Sequence, residues 1–171
     1  MKTTLIIVLV IVLIAGGIYG IKWIRVFMAT DYDEMLSALY SNTVPLIKAN
    51  NIEKTENWVV LDVRAANEYA ISHIKGSLWL GYPDTDYSKI EDIAKNQMIL
   101  VYCSVGYRSE RVGEILLKKG FINVKNLYGG IFEWVNSKHP IVDKEEKKTN
   151  KVHGFEPSWG KWLDTGIVVV Y

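Results

Sequence analysis

Short apolar runs alternate with amphipathic stretches along most of the chain. Trp58 to Val63, Ser77 to Leu80, Met98 to Tyr102 and Val124 to Leu127 are brief runs rich in Val, Leu and Ile, the pattern of buried strands. Between them, Ala66 to Ile71, Tyr87 to Ala94 and Ser109 to Lys119 read as helices, the last with Val112, Ile115 and Leu116 expected on one face. Lys118-Lys119-Gly120 closes that helix with cations at its negative end and a glycine suited to a left-handed cap. Gly129-Gly130 turns into a further helix carrying Trp134, and Asp31 to Tyr40 predicts a short helix behind an acidic start. This βα alternation predicts an α/β fold, an open parallel sheet flanked by helices.

The N-terminus breaks the rhythm. From Leu5 to Ile21 the chain runs 17 residues without a charge, and Trp23 and Ile24 extend the stretch beyond Lys22. That is enough to cross a bilayer, and the run is apolar all round, so residues 1–24 are expected to be one transmembrane helix. A cleaved secretory signal is the rival, with Lys2 as its basic start and Ala15-Gly16-Gly17 as a processing site. Lys2 on one side and Lys22 and Arg25 on the other leave orientation nearly balanced; a short inner tail would put the domain outside the cytoplasm.

Composition narrows the partners. At 171 residues there is room for one ordinary domain with appendages. Net charge is +1; without Lys2, Lys22 and Arg25 the remainder holds 17 basic and 19 acidic residues, or −2, which gives no footprint for nucleic acid. The chain has one cysteine and so no internal disulfide, and His73, His139 and His153 are too scattered for a metal site.

The candidate chemistry sits at that single cysteine. Val101-Tyr102-Cys103-Ser104-Val105-Gly106-Tyr107-Arg108-Ser109 leaves a strand and enters a helix, where backbone amides, the positive helix end and Arg108 all favour an anionic sulfur. A buried cysteine by itself is usually a small hydrophobe. A loop with Gly106 and Arg108 between strand and helix is instead a place to hold an anion.

Three separated motifs resemble a single-domain rhodanese. Val59-Val60-Leu61-Asp62-Val63-Arg64, with Glu68-Tyr69 and His73-Ile74-Lys75-Gly76-Ser77, resembles the family's early signature; Cys103 to Ser109 resembles its active-site loop; Leu127-Tyr128-Gly129-Gly130-Ile131-Phe132-Glu133-Trp134 resembles its closing signature. The similarity implies a rhodanese domain over 42–140, preceded by a juxtamembrane segment at 25–41 and followed by an extension at 141–171. It implies five strands and a sulfurtransferase. Cys103 attacks the outer sulfur of a donor such as thiosulfate, becomes a persulfide, and passes the sulfur to a thiol or other thiophilic acceptor. No cofactor or metal enters that chemistry.

Site roles follow the motif. Cys103 is the nucleophile, the amides from Ser104 to Ser109 cradle the persulfide, Gly106 permits the tight backbone and Arg108 attracts an anionic donor. Val105 and Tyr107 shape the pocket mouth or simply pack, and Ser109 caps the helix or touches substrate. Only four residues separate Cys103 from Arg108, one fewer than in the rhodanese-like phosphatases and arsenate reductases, so the cradle suits one sulfur atom better than a tetrahedral oxyanion. Asp62 and Arg64 are expected as structural support, Glu68 and His73 as scaffold polar groups, and Trp134 as core.

The two ends leave a second function class open, a noncatalytic docking or sulfur-relay module presenting persulfide to a membrane protein partner. Lys144 to Lys151 reads as a solvated linker. The aromatic stretch Val152 to Leu163 and a strand at Ile167 to Tyr171 either fold back on the domain or bind a partner or membrane interface.

Overall fold

The computed structural model describes residues 16–52 and 57–171. The chain divides after Tyr40 into two compact units. In the first, residues 16–28 are helical (α1) and Tyr32–Leu39 form α2, capped by Asp31, whose carboxylate accepts the Glu34 amide at 2.8 Å.

The transmembrane helix expected over residues 1–24 is not found: no helix among the described residues is long and apolar enough to cross a membrane. Residues 1–15, which carry most of the apolar run, lie outside the described residues. The described helix spans only about 20 Å at 1.5 Å per residue and contains Lys22 and Arg25. Its Ile18, Tyr19, Ile21, Ile24, Phe27 and Met28 are nonetheless exposed.

The second unit is built on a five-stranded, wholly parallel sheet of order β1-β5-β4-β2-β3. Its strands are β1 (Leu46–Ile47), β2 (Val59–Asp62), β3 (Leu78–Trp79), β4 (Met98–Tyr102) and β5 (Asn123–Leu127). The helices are α3 (Ala66–Ile71), α4 (Tyr107–Lys118) and α5 (Gly130–Asn136). β1 escaped sequence reading because two residues show no period. Leu61, Val63, Ile99, Val101, Val112, Leu116 and Val124 are fully buried and make the core between sheet and helices.

Topology fixes where a ligand can enter. From β2 the chain goes outward to β3, then returns across β2 to β4 and continues to β5. The strand order therefore reverses between β2 and β4, and the crevice lies past their carboxyl ends. Asp62 pairs in register with Tyr102 there, and the Val63 amide donates to the Tyr102 carbonyl at 3.0 Å. Cys103 is the next residue.

Several elements differ from expectation. Tyr87 to Ala94 is no α-helix; only Tyr87–Ile90 coil, as a 3-10 turn capped by Asp86. α4 starts two residues before Ser109, because Gly106 adopts φ 97° and turns the chain at once into the helix. Its buried stripe is Ser109, Val112, Gly113 and Leu116, and Ile115 lies one step off it, exposed. The predicted cap holds: the Gly120 amide donates to the Leu117 carbonyl and the Phe121 amide to that of Leu116. The supposed linker at Lys144 to Lys151 is a hairpin between β6 (Ile141–Val142) and β7 (Lys148–Thr149), since Asp143 accepts amide protons from Glu145 and Lys147 across its turn.

The extension folds back on the domain. β8 (Lys151–His153) and β9 (Val168–Val170) pair in parallel, with a short helix α6 (Pro157–Gly160) between them. β8 packs against α3, and His153 meets Asn67.

Candidate active site

The Cys103 thiol stands at the end of β4 with 1% of the residue exposed. The Gly106 amide donates to its Sγ at 3.1 Å, and the Ser109 hydroxyl lies 3.6 Å away. Gly106 can aim its amide inward because its positive φ closes the loop in three residues; a side chain there would strain the backbone. The amino end of α4 faces the same sulfur.

Asn126 on β5 holds this loop, a role that sequence reasoning missed. It is fully buried, between Lys125 and Leu127 on the strand. Its Nδ2 donates to the Gly106 carbonyl at 2.9 Å and its Oδ1 accepts the Ser109 hydroxyl at 2.8 Å. Ser109 is thus not a helix cap: Gly106 occupies the cap position without a side-chain bond, and the hydroxyl has one proton and two acceptors, Asn126 Oδ1 and Cys103 Sγ. A buried polar residue in a strand was the available signal.

The closing signature clamps the loop from the other side. The Ile131 amide donates to the Cys103 carbonyl at 2.9 Å and the Phe132 amide to the Ser104 carbonyl at 3.2 Å. Gly130 adopts φ 57°, and a Cβ there would fall on the carbonyl oxygens of Cys103 and Ser104. The first turn of α5 therefore donates to the loop's carbonyls and leaves its amides to the sulfur side.

Arg108 is placed differently from the expected open charge. Its two terminal nitrogens bond the Glu68 carboxylate at 2.6 and 2.7 Å, and one also reaches the Ser104 hydroxyl at 2.9 Å. Ser104 in turn donates to Glu68 Oε1 at 2.8 Å, and the Ala65 amide to Oε2 at 3.0 Å. Burial raises the Glu68 pKa, but the hydrogen bonds and charge of Arg108 outweigh it and hold the carboxyl down at about 2. Burial likewise disfavours the Arg108 charge, and the bonds from Glu68 with the nearby Cys103 sulfur more than restore it. Glu68, expected only as scaffold, is the counter-charge of the site; 40 residues separate it from Arg108, so no local pattern could pair them.

Beneath lies a second ion pair. Asp62 and Arg64, both fully buried, join through Nε and Nη2 of Arg64 at 2.6 to 3.1 Å. Arg64 also donates to the Ser72 carbonyl at 2.6 Å, its guanidinium covers the Tyr102 ring, and its carbonyl accepts the Trp79 indole. This pair ties the ends of β2, β3 and β4. His73 is a scaffold group, stacked on Tyr69 and paired by backbone bonds with Val142. Trp134 is core, its indole bonded to the Pro140 carbonyl. Val105 is buried and Tyr107 half-buried beside Arg111. Among the described residues no cluster of His, Cys, Asp or Glu is placed to hold a metal ion.

The chain is similar to known proteins in sequence and, for a solved domain, in fold. A thiosulfate sulfurtransferase, GlpE, of Coxiella burnetii is 34% identical over 98 residues, 57% of this chain and 89% of that protein. A sulfurtransferase of Allochromatium vinosum is 30% identical over 97 residues, 57% of this chain and 90% of its own. The solution structure of a rhodanese-like domain from Anabaena superposes with a TM-score of 0.54 at 24% identity, covering 61% of this chain and 83% of that one. The rhodanese-like domain family matches residues 47–137, the span that holds β2 through α5 and every side chain bonded around Cys103. With its parallel sheet, its cysteine loop at the strand-order reversal and its sulfurtransferase relatives, the chain belongs to the rhodanese-like family.

Proposed function

We propose that the protein is a membrane-tethered sulfurtransferase that carries sulfane sulfur as a Cys103 persulfide. The observation that carries this reading is the Gly106 amide on Cys103 Sγ at 3.1 Å, a fixed donor aimed at the nucleophile at the ligand end of the sheet. The thiolate attacks the donor's outer sulfur, the donor's S–S bond breaks, and its electron pair leaves on the departing group. The Ser109 proton can turn from Asn126 toward the sulfur as negative charge gathers there, without leaving the hydroxyl. The amides from Ser104 to Ser109 surround the outer sulfur; a thiophilic acceptor then removes it.

The Arg108–Glu68 fork supports sulfur over phosphate. A phosphatase loop needs its arginine free to grip equatorial oxygens, whereas this guanidinium is already bidentate to an ionised carboxylate. Arg108 therefore organises the loop through Ser104. Tethering rests on the uncharged run from Leu5 to Ile21 and on the exposed apolar side chains of α1.

The test is intact-mass measurement of the purified full chain after exposure to thiosulfate. One added sulfur per chain, absent in Cys103→Ser of equal thermal stability, is expected. No adduct, or an adduct retained in Cys103→Ser, refutes the reading. Repeated turnover with cyanide as acceptor marks an enzyme; a single equivalent followed by arrest marks a relay module.

A further inference from the structure

The extension beyond the family match brings one side chain to the active-site loop. His153, at the end of β8, lies beside Asn67 on the helix that carries Glu68. After Gly154 the chain turns back, and Phe155 adopts φ 64°, a left-handed conformation rare outside glycine. Its amide donates to His153 Nδ1 at 3.0 Å. A neutral imidazole has one accepting nitrogen, so Nε2 carries the proton; Asn67 Nδ2 lies 3.2 Å from it, and turning that carboxamide over gives the proton an oxygen acceptor. Burial and the nearby Arg64 and Arg108 keep that ring neutral against the pull of Glu68.

The turn is backed from behind. A Cβ on Gly154 would stand 2.6 Å from the Val169 side chain and 2.8 Å from the Tyr171 ring. β9 and the terminal tyrosine thus fill the space under the turn and hold Phe155 forward. Its ring lies over the Arg108 guanidinium, 5.0 Å from ring centre to Cζ, and the residue remains 43% exposed. Strained backbone that persists because its surroundings fix it is a mark of functional positioning.

The edge of Arg108 is taken by Glu68 and Ser104, and one face by Phe155. A small dianion arriving at the loop meets a neutralised ion pair. What stands free beside it is an aromatic surface, which attracts apolar groups.

We propose that Phe155 is a specificity-determining residue, which makes the site select sulfane-sulfur donors bearing an apolar organic group over small inorganic anions. This rests on the persulfide reading above and names its substrate class. For a thiosulfonate R–SO2–S⁻, Cys103 thiolate attacks the outer sulfur, the Sγ–S bond forms and the S–S bond breaks. The bonding pair departs on the sulfinate R–SO2⁻, and both charges are conserved with no outside oxidant or reductant.

The test uses the full chain and two donors of equal charge, benzenethiosulfonate and methanethiosulfonate, with thiosulfate as a third. Persulfide on Cys103 is followed by mass, and kcat/KM by turnover with cyanide. Wild type is expected to favour the benzene donor, mainly through KM; Phe155→Ala lowers the benzene-to-methane ratio about fivefold, the loss of one aromatic contact. Phe155→Tyr keeps the ratio and Phe155→Leu lowers it, which decides the matter if Phe155→Ala does not fold. A ratio unchanged in folded Phe155→Ala or Phe155→Leu overturns this inference while persulfide formation still upholds the parent reading. No persulfide from any donor overturns both.

Discussion

Replacing Glu68 by Gln removes the counter-charge of Arg108 while preserving side-chain shape. The Arg108 side chain is only 14% exposed and that of Glu68 2%, so solvent does little to replace the lost partner. The magnitude follows from the carboxyl itself. Its pKa falls from 4.5 to about 2 on folding, a linkage contribution of about 3 kcal/mol. A depressed folded pKa adds stability that is complete above pH 4.5 and is lost as pH falls toward 2. Glu68→Gln should therefore be about 3 kcal/mol less stable at pH 7, with a melting temperature lower by about 10 °C. The gap should close through the acid window as wild type loses the same contribution. The assay is urea unfolding by tryptophan fluorescence of the full chain in mild detergent, at pH 7 and in steps from 5 to 2.5. A variant within about 1 kcal/mol of wild type at pH 7, or one whose acid profile runs parallel to it, refutes the argument that this buried pair organises the site.

Gly130→Ala should cost more than about 3 kcal/mol and stop persulfide formation, because Cβ would displace the Cys103 and Ser104 carbonyls; calorimetry and intact mass check both, and a stable, reactive variant contradicts the clamp. Asn126→Ala should destabilise by about 2 kcal/mol and slow persulfide formation, since it takes the side-chain donor from the Gly106 carbonyl, leaving it the Glu110 amide, and the nearer acceptor from the Ser109 hydroxyl in a dry core; an unchanged single-turnover rate removes Asn126 from the site's supports. The full chain should stay with membranes through high-salt and alkaline washing. Release by salt would mean peripheral association, and a mature N-terminus after Gly17 would identify a cleaved signal.

Part of this protein is legible in sequence because local chemistry suffices for it. Met98 to Tyr102 and Ala66 to Ile71 form a strand and a helix with the expected bounds, and the Lys118-Lys119-Gly120 cap forms as read. Each depends on neighbours within one turn or one strand. The position of Cys103 between β4 and α4 is legible for the same reason, and the three motifs name the family. Tyr87 to Ala94 misled because its polar spacing suits a helix, whereas the Asp86 cap and the return of the chain toward β4 leave room for a single turn. The site's electrostatics were invisible. Glu68 meets Arg108 across 40 residues, Asn126 reaches Gly106 across 20, and Phe155 comes to Arg108 from a segment that reads only as aromatic. Sequence by itself determined most of the sheet strands and flanking helices, the parallel α/β class and the place of Cys103 between strand and helix, since those follow from periodicity and local turns. Only the tertiary structure decided that the arginine is neutralised and which side chains support the loop, because the sheet alone brings such distant residues within hydrogen-bond reach.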